Sequence, residues 1–65
     1  MNSILISIIM PAYKAQQVIA EAINSVLVQT YPNFELIIID DFSPDQTVNI
    51  VEDYIAKDKR IRLIK

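Results

Sequence analysis

Two short stretches combine side chains that could do chemistry: Pro11-Ala12-Tyr13-Lys14 and Asp40-Asp41-Phe42-Ser43. The 65-residue chain has no cysteine and no histidine. A disulfide, a thiolate nucleophile, a Cys/His zinc site and a Ser-His-Asp arrangement are therefore excluded. Any chemistry must come from carboxylates, hydroxyls, amides and backbone. An aromatic ring converging with a carboxylate suits a nucleobase. The ring stacks on the base, and the carboxylate accepts a hydrogen bond from an imide N–H such as N3 of uracil. Plainer readings stand beside this one. An acidic pair also serves as one helix-dipole partner and one solvated charge, and Tyr13 also reads as packing.

Net charge is −2, from six basic and eight acidic residues. A nucleic-acid-binding surface carries a basic stripe to neutralise phosphates. The one basic cluster, Lys57, Lys59, Arg60, Arg62 and Lys65, has Asp58 inside it and reads as a solvated edge. No apolar run reaches the roughly 18–20 residues that cross a bilayer. The opening Met1-Asn2-Ser3 lacks a positively charged leader region. A cytoplasmic location is the resulting expectation, with association of a parent protein at the cytoplasmic membrane face left open.

The elements that position the two stretches follow from periodicity. Ile4–Met10 is a nearly continuous β-branched run before Pro11, which reads as a terminator of a strand buried on both faces. From Ala15 to Gln29 the period changes: Val18, Ile19, Ala22, Ile23, Val26 and Leu27 make one helical stripe, with Glu21 on the wet side. Thr30-Tyr31-Pro32-Asn33 turns the chain, and Phe34–Ile39 is a second buried-strand run. Glu35, alone among apolar neighbours, is expected to point to solvent. Ser43-Pro44-Asp45-Gln46 then predicts a helix start, with Ser43 as cap, Pro44 at the first helical position and Gln46 completing a capping box. Asp45 receives no role beyond a favourable charge in the first turn. Val48, Val51, Tyr54 and Ile55 form that helix's stripe, and Arg60–Lys65 is a last, partly alternating strand.

The order β-α-β-α-β with right-handed crossovers predicts an α/β fold: a three-stranded parallel sheet in spatial order 3-2-1 with both helices on one face. A helix over Ala15–Gln29 is about 22 Å long, and a seven-residue strand about 23 Å, so each helix can return the chain along one strand. Ligands in such sheets bind outside the carboxyl ends of the strands, where both chemical stretches fall. One sheet face is left bare. The 65-residue chain alone is therefore expected to be marginally stable and to self-associate through that face or the free edge of the first strand.

Three segments carry a resemblance. Ser7–Tyr13, Ala22–Pro32 and Phe34–Ser43, in this order and spacing, resemble the start of family 2 glycosyltransferases, inverting enzymes of the GT-A (Rossmann-like) fold. The resemblance spans essentially the whole chain, residues 1–65, as the N-terminal part of one such domain ending after its third strand. It implies that Pro11, Ala12 and Tyr13 line the nucleotide pocket of a nucleotide-diphospho-sugar donor, a UDP-sugar being the expected one. Asp41 would grip the base and Asp40 support the same loop. It also implies a divalent metal, Mg or Mn. The family's metal-binding and general-base residues lie beyond the matched segments, so no catalytic or metal residue is assigned here, and the chain alone is expected to be inactive. Two positions depart from the family's commonest pattern: Lys14 replaces the usual Asn, and Phe42 the usual Gly. The latter makes the loop bulkier and reshapes the base pocket.

Leu36–Asp45 also resembles the acidic strand end of a response-regulator receiver domain. That arrangement needs the acidic pair on the first strand, and here a strand and a helix precede it. A dinucleotide-binding turn needs glycines, and the chain has none. A non-catalytic α/β interaction module is the remaining alternative.

Overall fold

The computed structural model describes residues 4–29 and 31–65. The readings of Met1-Asn2-Ser3 and of Thr30 lie outside them. Five elements follow one another: β1 (Ile6–Ala12), α1 (Ile19–Leu27), β2 (Phe34–Asp40), α2 (Thr47–Lys57) and β3 (Ile61–Ile64). β2 lies between β1 and β3, and both pairings are parallel. This is the predicted sheet, read from its other edge.

Burial shows which face the helices cover. Along β2, Phe34, Leu36, Ile38 and Asp40 are buried, while Glu35, Ile37 and Ile39 between them are not. On β3, Ile61 is buried and Arg62 exposed. The buried strand residues form one core with Ile19, Ile23 and Val26 of α1 and Val51 of α2. Ala22, Leu27, Val48, Tyr54 and Ile55 are half-buried, but Val18 is exposed and contributes little to its stripe. The two helices are also joined by the Tyr54 hydroxyl, which donates to Asn24 Oδ1 at 3.1 Å.

The opposite face is bare. Ile9 pairs with Ile37, and Pro11 with Ile39, which in turn pairs with Ile64. These side chains form an apolar patch at the carboxyl end of the strands. Below it, Ser7 Oγ donates to Glu35 Oε2 at 2.5 Å and Arg62 meets Glu35 Oε1 at 3.4 Å. Glu35 thus leaves the core as expected, but it is tied into a polar row across the sheet.

Three elements begin well away from the expected residue. β1 starts and ends two residues later than the apolar run, so Pro11 lies inside the strand rather than ending it. Ile6 donates to the Asn33 carbonyl and Ala12 accepts from the Asp41 N–H, both at 3.1 Å. Even-numbered backbone groups of β1 therefore face β2, and the nitrogen of Pro11 faces the open edge, where no donor is required. α1 begins at Ile19 rather than Ala15, and the backbone N–H groups of Ala15 and Gln16 bond to Thr47 and Asp45 across the loops. α2 begins at Thr47, and neither Ser43, Pro44 nor Gln46 plays the predicted capping part. Asp45 takes over that work. Its Oδ1 accepts the Thr47 N–H at 3.0 Å and the Thr47 hydroxyl at 2.5 Å.

Candidate functional site

The loops after β1 and β2 are laced together. The Asp41 N–H bonds to the Ala12 carbonyl at 3.1 Å, the Lys14 N–H to Ser43 Oγ at 3.0 Å, and the Ala15 N–H to Thr47 Oγ1 at 2.8 Å. Gln16 donates through its backbone to Asp45 Oδ2 at 3.3 Å and accepts from the Gln46 N–H at 2.9 Å. Successive cross-links hold Pro11–Gln16 against Asp40–Thr47, so the two stretches singled out in the sequence do face one another.

The neighbouring carboxylates have opposite situations. Asp40 is 3% exposed. Its Oδ1 accepts the Ser43 hydroxyl at 2.5 Å and its Oδ2 the Ser43 N–H at 3.0 Å. The hydroxyl of Ser43 in turn receives Lys14, so Ser43 is the latch between the loops rather than a helix cap. Asp41 is exposed; its backbone is fixed by Ala12, and its carboxylate remains open to a ligand. Asp40 shapes the loop that carries Asp41.

On the other loop, Ala12 is buried, Pro11 is exposed, and Tyr13 is 55% exposed with the Lys14 Nζ 5.6 Å from its ring centroid. That ammonium lies within reach of a cation–π attraction. Hydrogen bonding from the Thr47 hydroxyl, foremost, holds the Asp45 carboxyl below its ordinary value.

Lys14 and Phe42 have φ of 49° and 55°. Both are in the left-handed region, which costs a side chain with a Cβ roughly 1–2 kcal/mol and suits Gly, or Asn through local hydrogen bonding. These are the two positions that the resemblance marks as departures, with Asn and Gly the residues it implies there. The backbone keeps the shape that Asn and Gly would adopt easily, with bulkier residues forced into it.

Residues missed from sequence are those that lace the loops. Thr47 is fully buried with its hydroxyl satisfied on both sides. The spacings Asp40-x-x-Ser43 and Asp45-x-Thr47 carried the signal, since Asp side chains bond nearby backbone in such turns. Among the described residues no group of three or more acidic, His or Cys side chains is placed to hold a metal ion. Asp40 is buried and hydrogen-bonded to Ser43 through both oxygens, and Asp41 alone does not make a divalent-cation site. None of the helices in the described residues is long and apolar enough to cross a membrane.

A parallel sheet with its two chemical loops at the carboxyl ends of adjacent strands defines an α/β unit of the Rossmann-like kind. Residues 7–65 match the family described as Glycosyl transferase family 2, and the chain belongs to that family. It is 51% identical over 63 residues, 97% of its length, to an uncharacterized glycosyltransferase of Haemophilus influenzae, and covers 25% of that protein. It is 47% identical over 64 residues, 98% of its length, to the Escherichia coli UDP-Glc:alpha-D-GlcNAc-diphosphoundecaprenol beta-1,3-glucosyltransferase WfgD, covering 24% of it. With EpsJ of Bacillus subtilis, an uncharacterized glycosyltransferase, it shares 45% identity over 60 residues, 92% of its length, and covers 17% of that protein. The chain thus spans about a quarter or less of these curated relatives. Family membership sets aside the receiver-domain alternative, and the acidic pair indeed closes β2 rather than the first strand.

Proposed function

We propose that the chain forms the nucleotide-recognising part of an inverting glycosyltransferase that takes a nucleotide-diphospho-sugar, with a UDP-sugar as donor. One observation carries the reading: Asp41 is exposed and backbone-fixed beside exposed Tyr13, while Asp40 is buried and consumed by Ser43. Tyr13 stacks on the base, and Asp41 accepts its imide N–H. Pro11 extends the wall, buried Ala12 shapes it only through its backbone bond to Asp41, and Lys14 brings positive charge towards the phosphates. The name of WfgD specifies a transfer from UDP-Glc, which supports a uridine donor here. The divalent metal implied by the resemblance does not fit the carboxylates of this chain, so its ligands and the catalytic base belong to other residues. The chain alone has no turnover under this proposal. The enzyme works in the cytoplasm under this proposal.

The test compares two variants of a full-length transferase carrying this segment. A hydrogen bond to a charged acceptor contributes about 1.5–3 kcal/mol, so Asp41→Ala weakens UDP binding by roughly ten- to a hundredfold without loss of folding. Asp40→Ala lowers the melting temperature first. Unchanged UDP affinity for Asp41→Ala, measured by calorimetry on folded protein, would refute the assignment.

The isolated chain has a further partner in this proposal: a second copy. Its bare face presents Ile9, Ile37, Ile39 and Ile64 to water, and contiguous apolar surface of that kind is covered in soluble proteins. Face-to-face packing is favoured over edge pairing, because Pro11 removes a donor from the free edge of β1.

A further inference from the structure

Phe42 is 83% exposed, yet it sits at φ 55° in a backbone shape that suits glycine. An aromatic residue with positive φ is an outlier. Strain of this kind persists where surrounding structure enforces it, and it clusters at ligand-binding sites. Here the enforcement is visible: Asp41 is tied to Ala12 on one side of Phe42, and Ser43 to Lys14 and Asp40 on the other. The ring recovers little of this cost through packing, since most of it is exposed to water.

The same two cross-links bracket Tyr13. It follows Ala12 and precedes Lys14, as Phe42 follows Asp41 and precedes Ser43. Two exposed aromatic residues therefore stand on facing loops inside one bracket, with the open carboxylate of Asp41 beside them. From this placement we infer that Phe42 is a further binding residue, a second aromatic surface that holds the donor's base against Tyr13. This rests on the nucleotide reading above, and the base gains affinity from a ring that glycine would lack.

Titrating UDP and GDP into a full-length transferase carrying this segment, as wild type, Phe42→Gly, Phe42→Tyr and Asp41→Ala, tests the inference. Stacking of a base on an aromatic side chain supports a loss of about tenfold in UDP affinity for Phe42→Gly. Phe42→Tyr retains wild-type affinity. Phe42→Gly also raises the melting temperature by about 2–4 °C, because glycine relieves the left-handed strain. Weaker binding in a more stable protein is a result that a purely structural residue does not give. If Asp41→Ala loses UDP while Phe42→Gly binds as wild type, the inference is overturned and the nucleotide reading stands. If wild type binds neither nucleotide, both fall.

Discussion

On the helix side of the sheet Leu36 and Ile38 are fully buried, whereas on the other side Ile39 is 41% exposed and Ile9 56%. Both faces of β1 and β2 were written in the same residue types. The difference lies in what covers them: two right-handed crossovers place α1 and α2 on one side and leave the other to water. The few polar strand residues respect this division. Ser7, Glu35 and Arg62 all lie on the bare face, and the one charged side chain on the covered face, Asp40, is fully hydrogen-bonded. Composition alone thus describes a doubly buried strand, and topology decides which half of it is buried here.

The largest expected effect tests that division directly. Ile38→Ala removes a fully buried side chain and costs about 2–5 kcal/mol, enough to unfold most of a domain this small. Ile39→Ala, its neighbour on the bare face, costs less than about 1 kcal/mol in protein dilute enough to be monomeric. Urea unfolding of the two variants checks the pair. Equal costs would mean that the open face is packed in solution.

A smaller effect is expected at Ser43, where the covered face meets the loops. Ser43→Ala withdraws a hydroxyl from buried Asp40 and from the Lys14 N–H, and costs about 1–3 kcal/mol. As a helix cap the residue would have cost about 1 kcal/mol with no consequence for the first loop. Amide exchange separates the two roles: the Lys14 N–H loses protection in the variant if Ser43 is the latch. An unchanged Lys14 amide would return Ser43 to a local role.

Next in size is association through the bare face. Ile39→Lys places a charge in the apolar patch and is expected to raise the dissociation constant of a self-associated chain at least about tenfold, or 1.4 kcal/mol. Sedimentation across a concentration series reads it. A wild-type chain that stays monomeric at high concentration would remove the partner proposal and leave the fold intact.

These contrasts also mark how far the sequence could be read. The order of elements, the parallel sheet, the stripe of Ile19, Ile23 and Val26 and the two facing loops all follow from periodicity and crossover handedness. Those are consequences of repeated residue types, which a single sequence displays. Pro11 was misread because its missing N–H matters only on a paired side, and which side of β1 is paired is a tertiary fact. Ser43 was misread because the serine, proline and glutamine of a helix start were all present. Asp40 and Lys14, distant or buried partners, took the hydroxyl instead. The left-handed backbone at Lys14 and Phe42 had no glycine to announce it.

The smallest effect returns to the two faces through their ion pairs. Asp58 and Arg60 meet at 2.8 Å, and the guanidinium lies 4.3 Å from the ring of Phe34, a residue of the covered face. A second carboxylate contact, Arg60 Nε to Asp58 Oδ1 at 3.0 Å, makes the pair bidentate. On the bare face Arg62 reaches Glu35 at 3.4 Å from a largely exposed position. Only the first pair has the geometry and the stacking to count. Hydrogen bonds from Arg60, foremost, hold the Asp58 carboxyl below its ordinary value of 3.8. A carboxylate with a depressed folded value stabilises the fold above its unfolded value and loses that contribution as pH falls through the folded one. Both side chains are partly in water, so solvent screening keeps the contribution small. Asp58→Asn is therefore expected to be less stable than wild type at pH 6, with the gap closing progressively below about pH 4. Glu35→Gln is expected to match wild type at both pH values in low salt. Denaturant titrations of the three proteins at pH 6 and pH 2.5 decide it. A gap for Asp58→Asn that persists at the lower pH would show that its loss comes from packing around Phe34 rather than from charge.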